Sequence, residues 1–304
     1  MKRPRVVAIV VAYDGGKLLE DCVGALAATS NAPPPIILVD NASCDGAPQR
    51  IAQSYPNCVR LIGHDRNLGF AGGVNSGVSI VDAESDPTDA YVLVNQDCLV
   101  ARDALRALVE RLGSDPGIGI VGGCLLEPGG EILQHAGGRI QCNGCTEHLG
   151  RGLPARLAYD GPRDVEYVTG ALFAFRAETW RRLGPFDEGY HPVYFEDVDY
   201  CFRARAAGLR VVYEPGAVAI HHEASSSGRG SRIFLQRYHQ SRIRFVVQHA
   251  APLYGWYRVL RAEAGWLMKR RAIADIRPVL RAYRSLPGTY AAIHRRARSK
   301  ARCE

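Results

Sequence analysis

The sequence predicts an α/β protein: a sheet, parallel or mixed, flanked by helices and followed by a basic helical extension. Short apolar, β-branched runs alternate with stretches of helical period, joined by short links, which is the pattern of a sheet covered on both faces. Several of those runs are closed at once by Asp or Asn, so polar groups should gather along one sheet edge. Charge is divided: residues 1–228 carry 20 Lys/Arg against 28 Asp/Glu, whereas residues 229–304 carry 18 against three.

Residues 6–13 are continuously apolar, as a buried parallel strand is. Residues 17–28 place Leu18, Leu19, Cys22, Val23 and Leu26 on one helical stripe, and Pro33-Pro34-Pro35 ends the unit. Residues 36–39 form a second strand closed by Asp40-Asn41, and residues 58–62 a third, followed by His64-Asp65-Arg66-Asn67. A helix over 70–81 follows a run of glycines, a fourth strand over 90–94 closes on Asn95-Gln96-Asp97, and 102–112 is helical. Residues 118–163, rich in Gly and Pro, read as a loop-rich insertion with short strands. Strands are expected over 165–175, 209–213 and 218–220, with a helix over 199–207 between them. From residue 232 the pattern is helical and basic. The expected division is 1–228 and 229–304, the first part split near 115 into two halves.

At 304 residues the chain can bury a full core, and its 47% hydrophobic and 23% charged content is that of a globular protein. No stretch approaches the roughly 20 apolar residues of a membrane span. Met1-Lys2-Arg3-Pro4-Arg5 before the first apolar run imitates a signal peptide, but that run stops at Asp14 with no small-residue cleavage site, so a buried first strand is the better reading. Nine scattered cysteines form no disulfide framework, and a reducing cytoplasm is expected. Cys142 and Cys145 have the spacing of a zinc half-site, with His135 and His148 nearby, but a second cysteine pair is missing.

The densest chemistry lies in His191-Pro192-Val193-Tyr194-Phe195-Glu196-Asp197-Val198-Asp199. Three carboxylates within four residues repel one another and need a cation, an arginine or a proton to offset that repulsion. A general base beside a metal would look like this, and so would an acidic helix start. Asp199 is expected to pair with Arg203, four residues on.

These segments carry a resemblance. Val10-Val11-Ala12-Tyr13-Asp14-Gly15, Leu38-Val39-Asp40-Asn41-Ala42-Ser43-Cys44-Asp45-Gly46 and Asn67-Leu68-Gly69-Phe70-Ala71-Gly72-Gly73-Val74-Asn75-Ser76-Gly77 are followed by Leu93-Val94-Asn95-Gln96-Asp97 and Thr169-Gly170-Ala171. Gly184-Pro185-Phe186-Asp187-Glu188, Glu196-Asp197-Val198-Asp199 and His221-His222-Glu223 complete the series. In this order, over roughly residues 6–227, the chain resembles family 2 glycosyltransferases of the rhamnosyltransferase-like kind. The resemblance implies a GT-A fold, a nucleotide-sugar donor, a divalent metal (Mg²⁺ or Mn²⁺) and inversion at the anomeric carbon.

It also implies roles. Asp97 becomes the metal-binding acid of a degenerate D-x-D motif in which Asn95 replaces the first acid. Asp197 becomes the general base, with Glu196 helping to hold the site. Asp40 would accept a hydrogen bond from the pyrimidine N–H of the donor, and the backbone at Ala12 and Tyr13 would line the base pocket. Asn67 and Asp45 are neighbours of the nucleotide, although Asp45-Gly46 reads equally as a turn. Thr169, Gly170 and Ala171 would lie near the donor sugar or the acceptor. One histidine would ligate the metal; His221 is favoured because it directly follows Ile220, with His222 as the alternative. Gly69, Gly72, Gly73 and Gly77 lack the spacing of a phosphate-binding loop and suit close helix packing. Trp180 and Phe186 suit the core.

The expected activity is transfer of a rhamnose-like sugar from a dTDP- or UDP-sugar to a glycan or polyprenol-linked acceptor in cell-surface polysaccharide synthesis. The alternative is a non-catalytic sugar-nucleotide-binding or membrane-associated scaffold on the same fold. The tail mixes aromatic and cationic residues, as in Arg237-Tyr238-His239-Gln240-Ser241-Arg242-Ile243-Arg244-Phe245, and is expected to lie on the inner face of the cytoplasmic membrane; an oligomer contact is the competing use. No nucleic-acid-binding module is evident.

Overall fold

The structure is a computed structural model and describes residues 4–29, 33–157, 161–223, 231–271 and 276–300. Its first compact unit comprises residues 4–139, 148–192 and 196–223 of those described; the second takes residues 140–147, 193–195 and the chain from 231 onward.

The first unit opens as alternating strands and helices. These are β1 (Val6–Ala12), α1 (Gly16–Ala27), β2 (Ile36–Asp40), α2 (Ala47–Ser54), β3 (Val59–Gly63), α3 (Gly69–Asp82) and β4 (Ala90–Val94). β5 (Cys98–Val100), α4 (Ala104–Gly113), β6 (Ile118–Leu126), β7 (Leu133–His135) and β10 (Arg163–Asp164) follow, with the short strands β8 (Gly138–Ile140) and β9 (Thr146–His148) falling where the chain passes into the second unit and back. The unit closes with β11 (Leu172–Arg176), α5 (Ala177–Leu183), α6 (Glu196–Ala206) and β12 (Arg210–His221). β1, β2 and β4 are buried almost throughout, as continuous apolar strands covered on both faces must be.

The main sheet runs β10-β12-β6-β11-β4-β1-β2-β3, with β5 on β12 and β7 on β6. β1–β2, β2–β3 and β1–β4 are parallel, so their carboxyl ends meet at one edge. β11 is antiparallel to both β4 and β6 and brings its amino end to that edge. β12 is parallel to β6 and brings its carboxyl end there, where it pairs antiparallel with β5 through His221 and Cys98.

α3 lies against β1 and β2 through its glycines. A Cβ on Gly73 would stand 2.6 Å from Val11 Cγ1, and one on Gly77 3.1 Å from Ile9 and Val39. Asn75 ties this helix to a distant loop: its amide donates to the Phe186 oxygen (3.0 Å) and to Glu188 (3.0 Å), while its oxygen accepts from the Phe186 N–H (2.9 Å). Trp180 and Phe186 are buried, Phe186 stacked on Tyr200 at 4.0 Å.

Several elements depart from the sequence reading. Residues 118–126, expected to be loop-rich, form the nine-residue buried strand β6; Gly119, Gly122 and Gly123 are there because Leu209, Val168 and Leu172 leave no room for a Cβ. The strand expected over 165–175 begins only at Leu172. The two strands expected over 209–220 are one strand with a register shift between Glu214 and Val218. α2 and β5 were not anticipated, and α6 starts at Glu196 rather than Asp199.

In the second unit, α7 (Arg232–Phe245) continues through a π turn (Val246–Ala250) into α8 (Ala251–Tyr254), followed by α9 (Trp256–Arg271), α10 (Arg277–Tyr283) and α11 (Leu286–Lys300). Contrary to the expectation of a lipid-facing 237–245 segment, Arg242 and Arg244 are buried. Arg242 makes a two-pronged ion pair with Glu263 (2.8 and 2.7 Å) and donates to the Asn143 oxygen (2.7 Å), because a buried guanidinium must satisfy its donors internally. Exposed apolar side chains lie outside that segment, at Ile233 before it and at Leu253, Trp256, Tyr257, Leu260 and Met268 among those after it. No helix among the described residues is long and apolar enough to cross a membrane.

Candidate active site

Every candidate residue of the first unit lies at or beside the strand ends that meet at one sheet edge. At β1, the main chain of Tyr13 is gripped on both sides by Gln96: the Tyr13 N–H donates to Oε1 (2.9 Å) and Nε2 donates to the Tyr13 oxygen (3.1 Å). The Tyr13 ring is left 45% exposed, a flat apolar surface open to solvent. The Ala12 oxygen accepts from the Asn41 N–H (2.8 Å), fastening β1 to the turn after β2. That turn has Ala42 at φ 65°, a left-handed conformation costly for a residue with a Cβ.

Asp40 is buried at the end of β2. Its Oδ1 accepts from the Ser43 N–H (2.8 Å) and its Oδ2 from Gln49 Nε2 (3.1 Å), leaving each oxygen one further acceptor position. Asp45 serves as a turn: Oδ2 accepts from the Gly16 N–H (2.7 Å) and Oδ1 from the Ala47 N–H (2.9 Å). Asn67 Oδ1 accepts from the Gly69 N–H (2.7 Å), shaping the start of α3.

Asp97 and His221 meet directly, with His221 Nε2 3.3 Å from Asp97 Oδ1. The pairing of β12 with β5 causes this, since it sets His221 opposite Cys98, and the His222 N–H donates to the Asp97 backbone oxygen (3.0 Å). Of the two histidines, therefore, the ring of His221 faces the acid. A carboxylate oxygen and an imidazole nitrogen this close suit a divalent cation whose remaining positions are filled by phosphate and water oxygens. Among the described residues no three His, Cys, Asp or Glu side chains are grouped to hold a metal. The zinc arrangement is not assembled; His135 Nδ1 instead lies 2.9 Å from His148 Nδ1. Burial pushes His135 well below the usual histidine range and His148 down to about 3.

The amino end of β11 and the first turn of α6 are joined by Asp197, whose Oδ2 accepts from the Gly170 N–H (2.9 Å) and Oδ1 from the Val198 N–H (2.7 Å). The Ala171 oxygen accepts from the Asn95 N–H (3.1 Å), linking this turn to the one carrying Asp97. Burial raises the Asp197 pKa, and the Gly170 N–H partly opposes the rise. Burial first, and then the Asp197 charge, push Glu196 well above the carboxylate range. Asp199 pairs with Arg203 at 2.8 Å, as its spacing predicts.

Among the described residues, four buried polar atoms along this edge have no hydrogen-bond partner: Asn41 Oδ1, Asn95 Oδ1, Thr169 Oγ1 and Glu196 Oε2. Leaving a buried polar atom unpaired costs about 1–3 kcal/mol, and a polar ligand at this edge could supply the missing partners. Thus the edge brings Asp97 to His221 and Gly170 to Asp197, while Asp40 lies two strands away, beyond β1. Sequence reasoning missed the clamp on Tyr13, whose signal was the Gln within Asn95-Gln96-Asp97. It also missed Gln134, for which the sequence carries no signal.

A sheet of this order, with the site across its strand ends and helices on both faces, is a GT-A-like glycosyltransferase fold. The family described as glycosyltransferase like family 2 matches residues 4–246, and the chain belongs to it. It is 31% identical over 278 residues to the N-acetylglucosaminyl-diphospho-decaprenol L-rhamnosyltransferase of Mycobacterium tuberculosis (strain ATCC 25618 / H37Rv), covering 86% of this chain and 88% of that one. Over a shorter stretch of 58 residues it is 38% identical to the rhamnosyltransferase WbbL of Escherichia coli (strain K12), covering 19% of this chain and 22% of that one. Among solved structures, it resembles the mannosyltransferase PcManGT of Pyrobaculum calidifontis, in complex with GDP-Man and Mn²⁺, with a TM-score of 0.58 at 22% identity over 99% of this chain and 81% of that one. GalNAc-T7 with UDP, GalNAc and Mn²⁺ gives a TM-score of 0.61 at 16% identity over 80% of this chain and 47% of that one.

Proposed function

We propose that this chain is an inverting, metal-dependent glycosyltransferase that moves a rhamnose-like sugar from a dTDP- or UDP-sugar to a lipid-linked glycan at the cytoplasmic face of the membrane. The observation that carries the reading is the pair of contacts at one edge: Asp97 with His221, and Asp197 with the Gly170 N–H. The donor sugar and acceptor are taken from the decaprenol-linked rhamnosyltransferase it resembles.

In this reading Tyr13 offers its exposed ring to the base, and Asp40 accepts from the pyrimidine N–H through an acceptor position its internal bonds leave open. Asp97 and His221 hold Mg²⁺ or Mn²⁺, which when bound offsets charge on the departing diphosphate. Asp197 accepts the proton of the acceptor hydroxyl. That oxygen bonds to the anomeric carbon from the face opposite the diphosphate, and the carbon–oxygen bond to the diphosphate breaks, its electron pair leaving with the nucleoside diphosphate. The proton stays on Asp197 until it passes to solvent. A carboxylate made more basic by burial is suited to this, because it holds a proton more readily near neutral pH. Burial first, and then the Asp197 charge, raise the Glu196 pKa and so favour its neutral form beside Asp197.

The exposed side chains Trp256, Tyr257, Leu260 and Met268 recur at helical spacing on α9, and Arg258, Arg261 and Lys269 are exposed on the same helix. This combination supports contact with anionic headgroups, where the acceptor would reside.

The test is transfer to a polyprenyl-diphosphate-linked acceptor with each donor, with and without Mn²⁺. Metal-dependent release of nucleoside diphosphate with matching glycan product is expected. Tight donor binding with no turnover on any acceptor would instead identify the scaffold alternative.

A further inference from the structure

His221 is backed by Gln134, a buried residue of β7, 2% exposed. Gln134 Nε2 lies 3.0 Å from the His221 backbone oxygen and 3.3 Å from Glu127 Oε2. A carbonyl and a carboxylate only accept, so that end of the amide is the NH₂ group. The other end, Oε1, also only accepts, and it stands 2.6 Å from His221 Nδ1. Nδ1 must therefore carry the hydrogen. A neutral imidazole has a single N–H, which leaves Nε2 with its lone pair, and Nε2 is the atom 3.3 Å from Asp97 Oδ1. In the neutral ring, Nε2 therefore presents its lone pair toward the Asp97 carboxylate, the orientation a metal-ligating imidazole needs.

We infer that Gln134 is a positioning residue that locks His221 in its Nδ1–H form and so turns His221 and Asp97 into a cation-binding pair. The inference rests on the reading of those two residues as cation ligands. Without the amide, the hydrogen can move to Nε2 and be donated to Asp97. That hydrogen bond takes away the Nε2 lone pair and closes the pair to a cation. The same amide also holds the His221 backbone oxygen, so ring and main chain are fixed together. Groups that orient a metal-binding histidine in this way are worth about 10–100-fold in metal affinity.

The decisive measurement is histidine ¹⁵N NMR on the metal-free wild-type chain. A protonated Nδ1 on His221 is expected; an Nδ1 of the unprotonated, pyridine type overturns the inference. Mn²⁺ titration by EPR then compares wild type, Gln134→Met and Asp97→Asn. Gln134→Met keeps the volume and removes the acceptor, and a 10–100-fold weaker Mn²⁺ affinity is expected. If Asp97→Asn weakens Mn²⁺ binding and Gln134→Met changes it less than about twofold, the lock is refuted while the cation pair stands. If neither variant alters Mn²⁺ binding, the cation pair itself is wrong and the lock falls with it. Should Gln134→Met not fold, the NMR result on the wild type decides alone.

Discussion

The two halves of the sheet bring residues to the same edge by different means. In β1 to β4 every strand runs the same way, so whatever follows a strand arrives at the carboxyl edge, and Tyr13, Asp40 and Asp97 are delivered by topology alone. Beyond residue 118 the directions are mixed. β11 contributes its leading end, β12 its trailing end and α6 its first turn. There the positions depend on individual contacts, such as Gly170 to Asp197 and Gln134 to His221. The first half should thus be sensitive to packing, and the second to single polar groups.

The largest effect is expected in the second half. Asp197→Asn should lower kcat by about 10²–10⁴-fold, the range for losing a general base, while donor KM moves little. Asn can still accept from the Gly170 N–H, which holds the turn to β11, while its NH₂ gives up the bond from the Val198 N–H along with the basicity. A variant transferring at the wild-type rate would remove Asp197 from the chemistry. The counterpart in the first half is Asp40→Asn. It should leave kcat nearly intact and raise donor KM by about tenfold, the worth of one hydrogen bond to a charged acceptor. If Asp40→Asn lowers kcat as strongly as Asp197→Asn, the division between a binding half and a reacting half is wrong.

Packing gives the next contrast. Gly73→Ala places a Cβ 2.6 Å from Val11 Cγ1 and should destabilise by about 1–3 kcal/mol, partly offset by the helix preference of Ala. Gly63→Ala meets nothing within 4 Å and is the control. Urea unfolding of both measures the difference, and equal midpoints would mean that α3 can shift away from β1.

How far the sequence revealed this follows from the same contrast. β1, β2 and β4 are readable because both faces are buried, so each is one apolar run, and the polar residue ending it is visible as a break. β6 is hidden because its neighbours demand glycine: Gly122 faces Val168 and Gly123 faces Leu172, and glycine otherwise signals a loop. The pairing of Asp97 with His221 joins residues 124 positions apart. The family resemblance suggested it, but no local pattern encodes it. Gln134 is a single buried amide in a three-residue strand, and its role exists only through the atoms around it.

The smallest effects expected concern pH, and the two histidines and two acids of the second half have opposite signs. His135 and His148 are held neutral by burial, His148 down to about 3. Below about pH 6.5, the ordinary histidine value, the unfolded chain binds protons that the folded chain refuses. Stability contributed by this pair is therefore complete above that pH and is lost as pH falls toward 3. Glu196 and Asp197 are raised instead, so the folded chain keeps protons that the unfolded chain releases, and stability falls as pH rises above the ordinary carboxylate range. Glu196→Gln cannot ionise. In the metal-free, donor-free protein its urea midpoint should match wild type near pH 4 and exceed it increasingly toward pH 8. His148→Gln should do the reverse, with a shallower loss of stability than wild type between pH 6.5 and pH 4. Parallel pH curves for wild type and both variants would mean that neither pair changes its proton uptake on folding.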